Sequence, residues 1–389
     1  MKKGWQTKTL GEICDIERGG SPRPIQEFIT TDPNGINWIK IGDATASGKY
    51  IYKTEEKIKP EGAKRSRMVY EGDFILSNSM SFGRPYIMKT EGCIHDGWLV
   101  LHKPKVDPDY LYFVLSSDLV FDQFNQLAAG STVRNLNIGL AKSVEIPYPP
   151  LTEQQRIVGL LDEAFEGLAT AKANAEKNLQ NARALFESHL QSVFTQRGNG
   201  WVEKQLGDVC ELFQGLCINA KTKHLLVEKS SLPLLRIKDL RSNSAEQFIA
   251  ETGWPKNAYV SEDEIIYTRT GQIGLVFRGR VGVLHNNCFK VRPKPVLNSD
   301  YLFWWLQNPM FRARITTLAS KTAQPDITHS LFKVQPIQIP PRDYQDKAIA
   351  VIDGMREETQ RLARIYERKL SALAELKKSL LHQAFTGEL

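Results

Sequence analysis

The sequence predicts an α+β fold: two α/β domains in tandem, separated and joined by two long helices that pair as an antiparallel coiled coil with pseudo-twofold symmetry. Three observations carry this expectation. The 389-residue chain repeats itself at half its length, each copy turns from strand-like to helical at a proline pair, and both helical runs carry the same heptad stripe.

The repeat is plainest at the start of each copy. GWQTKTLGEIC, Gly4 to Cys14, returns as GWVEKQLGDVC, Gly200 to Cys210, identical at six of eleven positions and with Glu12 and Ile13 exchanged like for like for Asp208 and Val209. At the same offset of 196, NWIKIGD (Asn37 to Asp43) lies over PLLRIKD (Pro233 to Asp239). Five residues are then lost from the second copy, and an offset of 191 holds to the end. It places DYLYF (Asp109 to Phe113) on DYLFW (Asp300 to Trp304), Pro149-Pro150 on Pro340-Pro341, Gln154 on Gln345 and Phe194-Thr195 on Phe385-Thr386.

The boundaries follow from composition. Residues 1–151 and 197–341 alternate short Ile, Val, Phe and Tyr runs with Gly, Pro, Asn and Ser, as strands and turns do. Residues 152–196 and 342–389 almost lack Pro and Gly and read as helices, with Thr152 and Glu153 suggesting an N-cap for the first. Apolar residues then step by 3 and 4. The seam so defined is Leu161, Leu168, Ala175, Ala182 and Leu185 in the first helix. In the second it is Ile352, Met355, Leu362, Tyr366, Leu373, Leu376 and Leu380. At 1.5 Å per residue such a helix is roughly 65 Å long, more than one domain can cover, so each helix needs the other.

Composition excludes several classes. Nothing resembles a signal peptide or a run of apolar residues long enough to cross a bilayer, so a cytoplasmic protein is expected. Five cysteines without CxxC spacing argue against a disulfide framework or zinc knuckle, and Cys14 and Cys210 read as small core residues. No histidine or cysteine spacing suits a metal. Charge points to a polyanion: residues 197–341 hold 19 basic against 12 acidic residues, while residues 1–151 hold 19 against 18.

DNA is the polyanion that the loops fit best. Lys64, Arg65 and Arg67 in KIKPEGAKRSR suit phosphate contact, which positions a protein without reading sequence. Arg18, Arg23, Lys40, Arg236 and Lys238 join them as candidate DNA-binding cations. Base reading needs hydrogen-bonding side chains on loops held by strands. After one repeated apolar strand these are Ser77, Asn78, Ser79 and Arg84 in the first domain, and Arg269, Thr270 and Gln272 in the second. Before each proline pair they are Arg134, Asn135 and Asn137, and Lys321, Gln324 and Asp326.

Catalytic motifs are missing. There is no Asn- or Asp-Pro-Pro-aromatic loop of an amino methyltransferase, no glycine-rich turn for a methyl donor, and no nuclease carboxylate pair with lysine; RTGQIG lacks the GK[ST] ending of a phosphate loop. The order of domain, PYPPLTEQQRIVGLLD, long helix, second domain, proline pair, long helix and KSLLHQAFTGEL resembles the specificity subunit of type I restriction-modification systems over the whole chain. The resemblance implies a non-catalytic subunit in defence against foreign DNA, with no cofactor of its own. Each domain would be a target recognition domain reading one half of a split double-stranded DNA target. The helix pair would set the spacer and dock two methyltransferase subunits, which carry S-adenosylmethionine, and restriction and translocase subunits could join. The second copy departs from the pattern at IPPRDYQDKAIA, which blurs the start of its helix. Two alternatives share these residues: a coiled-coil scaffold with protein-binding heads, and the specificity subunit of a fused restriction-methylation enzyme.

Overall fold

The computed structural model of the chain describes residues 4–78, 83–128, 136–320 and 325–389. They pack as two compact units, Met1–Glu176 with Arg368–Leu389, and Lys177–Glu367. The division falls inside the long helices, not at the boundaries read from composition, because the two ends of each helix belong to different cores.

In unit 1 the strands Asp15–Arg18, Trp98–His102, Phe74–Ser77, Pro85–Met88 and Tyr50–Ile51 form one sheet in that order, antiparallel except for the last pair. A second sheet runs Ile29–Thr30, Glu56–Ile58, Ile36–Ile39, Gly92–Ile94 and Arg67–Val69. Unit 2 repeats this plan with fewer strands: Cys210–Gln214, Cys288–Pro293, Ile265–Thr268 and Val276–Phe277 in one sheet, and Leu234–Leu235, Gly282–Leu284 and Tyr259–Val260 in another. Register is preserved as well. Gln6 pairs with Tyr148 as Val202 pairs with Ile339, closing each unit by joining its first strand to the one before the proline pair.

Local chemistry explains the repeated opening. The carboxylate of Glu12 accepts the Thr9 backbone N–H at 2.7 Å, and that of Asp208 accepts from Gln205 at 3.1 Å, so each caps a four-residue helix, Leu10–Ile13 or Leu206–Val209. Cys14 and Cys210 are buried just after it, and burial pushes both thiols up to about 12.

The long helices run from Leu151 to Thr195 and from Arg342 to Thr386, the same register at an offset of 191. Thr152 is therefore inside the first turn and not its cap. The carbonyl of Pro150 accepts from the Glu153 and Gln154 N–H groups, and that of Pro341 from Tyr344 and Gln345, because proline ends the strand and leaves a free carbonyl where the helix begins. The second helix thus starts cleanly despite its altered sequence. Gln154 and Gln345 are 2% and 1% exposed. Gln154 donates to the Pro149 carbonyl at 2.8 Å and accepts the Asp107 N–H at 2.8 Å; Gln345 donates to Pro340 at 3.0 Å and accepts from Asn298 at 2.7 Å. Asp107 and Asn298 cap the helices Pro108–Leu115 and Ser299–Leu306, so one buried amide locks two helix starts together in each unit.

Each core is closed by one helix beginning and one helix end. Ile157 and Leu161 with Leu381, Ala384 and Phe385 close the first; Ala348 and Ile352 with Leu190, Val193 and Phe194 close the second, position for position. Tyr110 meets Phe385 edge-on at 5.6 Å and Tyr301 meets Phe194 at 5.2 Å. Phe165 packs on Phe113 and lies beneath the Lys377 ammonium, while Phe186 packs on Trp304, whose own ring lies beneath the Arg356 guanidinium. Within unit 1, Arg156 reaches the carbonyl oxygen of Leu389 while Phe165 meets Lys377; within unit 2, Arg183 pairs with Glu367 while Gln196 meets Tyr344. Falling numbers against rising ones mark the pairing as antiparallel in both.

The predicted seam needs one correction. Leu161, Ala175, Ala182 and Ile352 are buried, and Leu168, Met355, Leu362, Tyr366, Leu373 and Leu380 are half-buried. Leu185 and Leu376, equivalent positions, are 50% and 47% exposed. A straight helix drifts about 20° per heptad from a strict seven-residue repeat, so by the last turns the buried stripe has moved one residue on, to Phe186 and Leu190 in the first helix and to Leu381, the equivalent of Leu190, in the second. Leu161→Ala should accordingly cost about 2–5 kcal/mol in urea unfolding, while Leu185→Ala should stay within about 0.5 kcal/mol. Equal losses would put Leu185 back in the seam.

Candidate nucleic-acid interface

Four segments converge at the same place in each unit. In unit 1 they are the glycine turn after Asp15–Arg18, the His95 turn between two strands, Asn78 at the end of Phe74–Ser77, and Lys40 before the helix Ile41–Thr45. In unit 2 they are Gly215, the His285 turn, Arg269 and Arg236 before the helix Ile237–Ser242.

Backbone hydrogen bonds make the two frames alike. Gly19 N–H donates to the Trp98 carbonyl at 2.9 Å as Gly215 donates to Cys288 at 3.3 Å. Asn78 N–H donates to Gly97 at 2.9 Å as Arg269 donates to Asn287 at 2.9 Å, and the carbonyls of Asn78 and Arg269 accept from Leu136 and Ile327. Glycine is required at the turn: a Cβ on Gly19 or Gly215 would lie 2.0 or 2.3 Å from the carbonyl oxygen of His95 or His285. Each imidazole is turned inward, its Nδ1 accepting the N–H of Gly97 at 2.8 Å or Asn287 at 3.3 Å.

The side chains on these frames differ. In unit 1 the Asp96 carbonyl accepts from Arg18 Nε at 3.1 Å and from Asn78 Nδ2 at 2.9 Å. The Asp96 carboxylate accepts from Ser21 at 2.6 Å and faces Arg23 at 3.5 Å, and the Ser21 hydroxyl holds it below the usual carboxylate range. Ser21, Arg23 and Asp96 line an open cavity of about 560 Å³ with Trp38, Lys40 and His95. In unit 2 the place of Arg18 is taken by Gln214, whose amide donates to the Asn286 carbonyl at 2.7 Å and accepts from Arg269 at 3.3 Å. Arg269 grips Asp326 with Nε at 2.9 Å and with a second nitrogen.

Not every residue expected at this surface reaches it. Ser77 and Asn78 are 0% and 1% exposed: Ser77 ends a fully buried strand, and the amide of Asn78, the next residue, serves the turn as described above. Asn137 caps the helix Ile138–Ser143, accepting from Leu140 at 2.9 Å. Lys40 pairs with Glu56 at 2.6 Å and Arg67 with Glu17 at 2.9 Å; Arg236 grips Asp239 and Glu246, and Lys238 pairs with Glu246. Those cations are already compensated, which lowers their value to a phosphate. Exposed positions are held by Arg18, Arg23, Lys64, Arg65 over the Phe28 ring, Arg84 over the Tyr86 ring, and Gln272, which accepts from Arg241 at 2.9 Å. The Thr270 hydroxyl is buried beside Asp326 and finds no partner among the described residues. Ser79, Arg134, Asn135, Lys321 and Gln324 lie outside the described residues.

Sequence reasoning passed over His95, Asp96, Trp38, Gln214, Arg241 and His285. The signal was present: CIHDGW and VLHNNC align at an offset of 190 with the histidine in common. Among the described residues no group of His, Cys, Asp and Glu could hold a metal, and no helix is long and apolar enough to cross a membrane.

Burial lowers the pKa of His95, His285 and His329 from 6.5, with Arg236 adding to the effect at His285 and Arg269 at His329. The unfolded chain then binds protons that the folded chain refuses. This stabilisation is complete above the unfolded value of about 6.5 and is lost as pH falls through it toward the folded values. The urea midpoint should fall between about pH 7.5 and pH 5.5, and fall less in a His95→Gln, His285→Gln double variant. An unchanged slope in that variant would show that neither imidazole carries the effect.

Comparison with known proteins fits this geometry. A family model for the type I restriction modification DNA specificity domain matches twice, over residues 2–179 and 198–365. The type I restriction enzyme MjaIX specificity subunit of Methanocaldococcus jannaschii is 24% identical, over 100% of this chain and 94% of that protein. The EcoKI specificity subunit of Escherichia coli K12 is 23% identical, over 70% of this chain and 64% of that protein. Among solved structures, a chain from a study of complex assembly and conformational transition of the type I R-M system superposes with a TM-score of 0.83 at 18% identity, covering 100% of this chain and 99% of that one. The HsdS subunit from Thermoanaerobacter tengcongensis gives 0.63 at 19% identity, covering 100% and 98%. These two likenesses are of fold. Two matches of the family model, covering most of the chain and separated by the end of the first long helix, place this protein in the type I restriction-modification family as a DNA specificity subunit with two recognition domains in tandem.

Proposed function

We propose that each unit reads one half of a bipartite double-stranded DNA target, and that the paired helices set the spacer and dock two methyltransferase subunits. One observation carries the reading: the two units share a backbone frame bond for bond, yet present Arg18, Asp96 and Arg23 on one and Gln214, Arg269 and Asp326 on the other. A common frame with different donors and acceptors is what recognition of two different base sequences requires.

Methyl transfer belongs to the partner subunits, which bind S-adenosylmethionine, and this chain works without a cofactor or catalytic groups of its own. Cleavage, where it occurs, belongs to restriction and translocase subunits. Support for a partner used twice comes from the long helices. Leu160 and Val351 are equivalent and 41% and 52% exposed, and Leu185 and Leu376 are equivalent and exposed as well. Matched apolar side chains left in solvent at two repeated positions suit two copies of one protein.

The half-site assignment is tested by competition binding of the assembled methyltransferase complex to duplexes altered in one half at a time. Arg18→Ala should cost about 10-fold in discrimination at the first half-site and leave the second untouched; Arg269→Ala should do the reverse. Loss at the same half-site from both variants would refute the assignment.

A further inference from the structure

We infer that unit 2 reads a guanine through the end edge of the Arg269 guanidinium, with Asp326 and Gln214 as its positioning residues. The inference rests on the reading of unit 2 as a half-site reader and names the base that it takes.

A guanidinium has five N–H donors in a fixed plane. In Arg269 the Nε donor and one donor of Nη2 are taken by Asp326, and one of Nη1 by the Gln214 carbonyl oxygen. Two remain, one on each terminal nitrogen. Gln214 is itself held from behind, because its amide donates to the Asn286 carbonyl at 2.7 Å. Asp326 is tied in by a backbone bridge to Thr270, and Arg269 by its N–H to Asn287 and its carbonyl to Ile327. The fork is therefore locked in plane and direction before any ligand arrives, and the Arg269 side chain keeps 22% of its surface open to solvent.

Charge separates the two uses such an arginine can have. A phosphate contact wants a free cation, and a carboxylate gripping the same side chain works against it. A base contact wants direction, and the carboxylate supplies that while cancelling the attraction to every phosphate. Only guanine offers two neighbouring acceptors, O6 and N7, on its major-groove edge; adenine presents one acceptor beside a donor, and thymine a single acceptor. Among the described residues unit 1 shows no such fork: the equivalent Asn78 is buried with its amide on the Asp96 carbonyl.

The test uses the assembled methyltransferase complex and duplexes in which each guanine of the second half-site is replaced in turn by 7-deazaguanine, which lacks the N7 acceptor. One position should lose about 10- to 100-fold in affinity, and the same replacement should change nothing further in Arg269→Ala. Asp326→Asn should blunt the preference for that G·C pair, raise affinity for random DNA and steepen its salt dependence by about one charge, as a released cation would. Affinity indifferent to 7-deazaguanine throughout, a second half-site without a G·C pair, or a uniform loss with a shallower salt slope in Arg269→Ala would overturn the inference while leaving the bipartite reading intact. A complex with no split target would overturn both.

Discussion

Tyr110 against Phe385, and Tyr301 against Phe194, are the contacts on which the remainder depends. Each seats the end of one long helix in a core that the other helix opens. A 45-residue helix whose apolar residues form only a narrow stripe has little reason to persist alone in water, and most of its stability must come from what that stripe meets. Here both ends are anchored by aromatic edges and aliphatic wedges, and removing one large anchor would cost about 3–5 kcal/mol. The doubling of the sequence follows from this requirement: each core needs one helix beginning and one helix end, and two copies supply both in matching positions.

With the frame secured, the surface is free to differ. Gly19 and Gly215, the inward imidazoles and the shared backbone bonds fix where the turns lie, and nothing in that frame prescribes what Arg18 or Gln214, or Asn78 or Arg269, must be. The two units even invert their use of arginine. Unit 1 carries it at the end of the strand Asp15–Arg18, against a backbone carbonyl, and unit 2 on the loop after a buried strand, against a carboxylate. Such inversion changes donors and acceptors at the surface without disturbing the core that presents them.

The repeat, the tandem arrangement and the helix pair were legible because they rest on residues that do the same job twice: the glycines, the proline pairs, the capping carboxylates and the apolar stripe. The stripe failed at Leu185 and Leu376, where the mismatch between 3.6 and 3.5 residues per turn had accumulated over several heptads. Gln154 and Gln345 were visible as a pair, yet their partners lie some 47 residues away in sequence, and only folding reveals the lock. Site residues were harder. Ser77 and Asn78 look like readers because turns are polar, but both are buried, and the Asp96 carbonyl takes up the Asn78 amide. Arg236 and Lys40 look like phosphate contacts until Glu246 and Glu56 are seen beside them.

The central claim is that one frame used twice, with different side chains, specifies a target in two parts. A genome-wide map of methylated adenines, in cells expressing this chain with its modification subunit, tests that claim most directly. The account predicts a new motif of two unlike halves separated by a spacer of constant length, absent when the modification subunit is expressed alone. A continuous motif, or two identical halves, would contradict it.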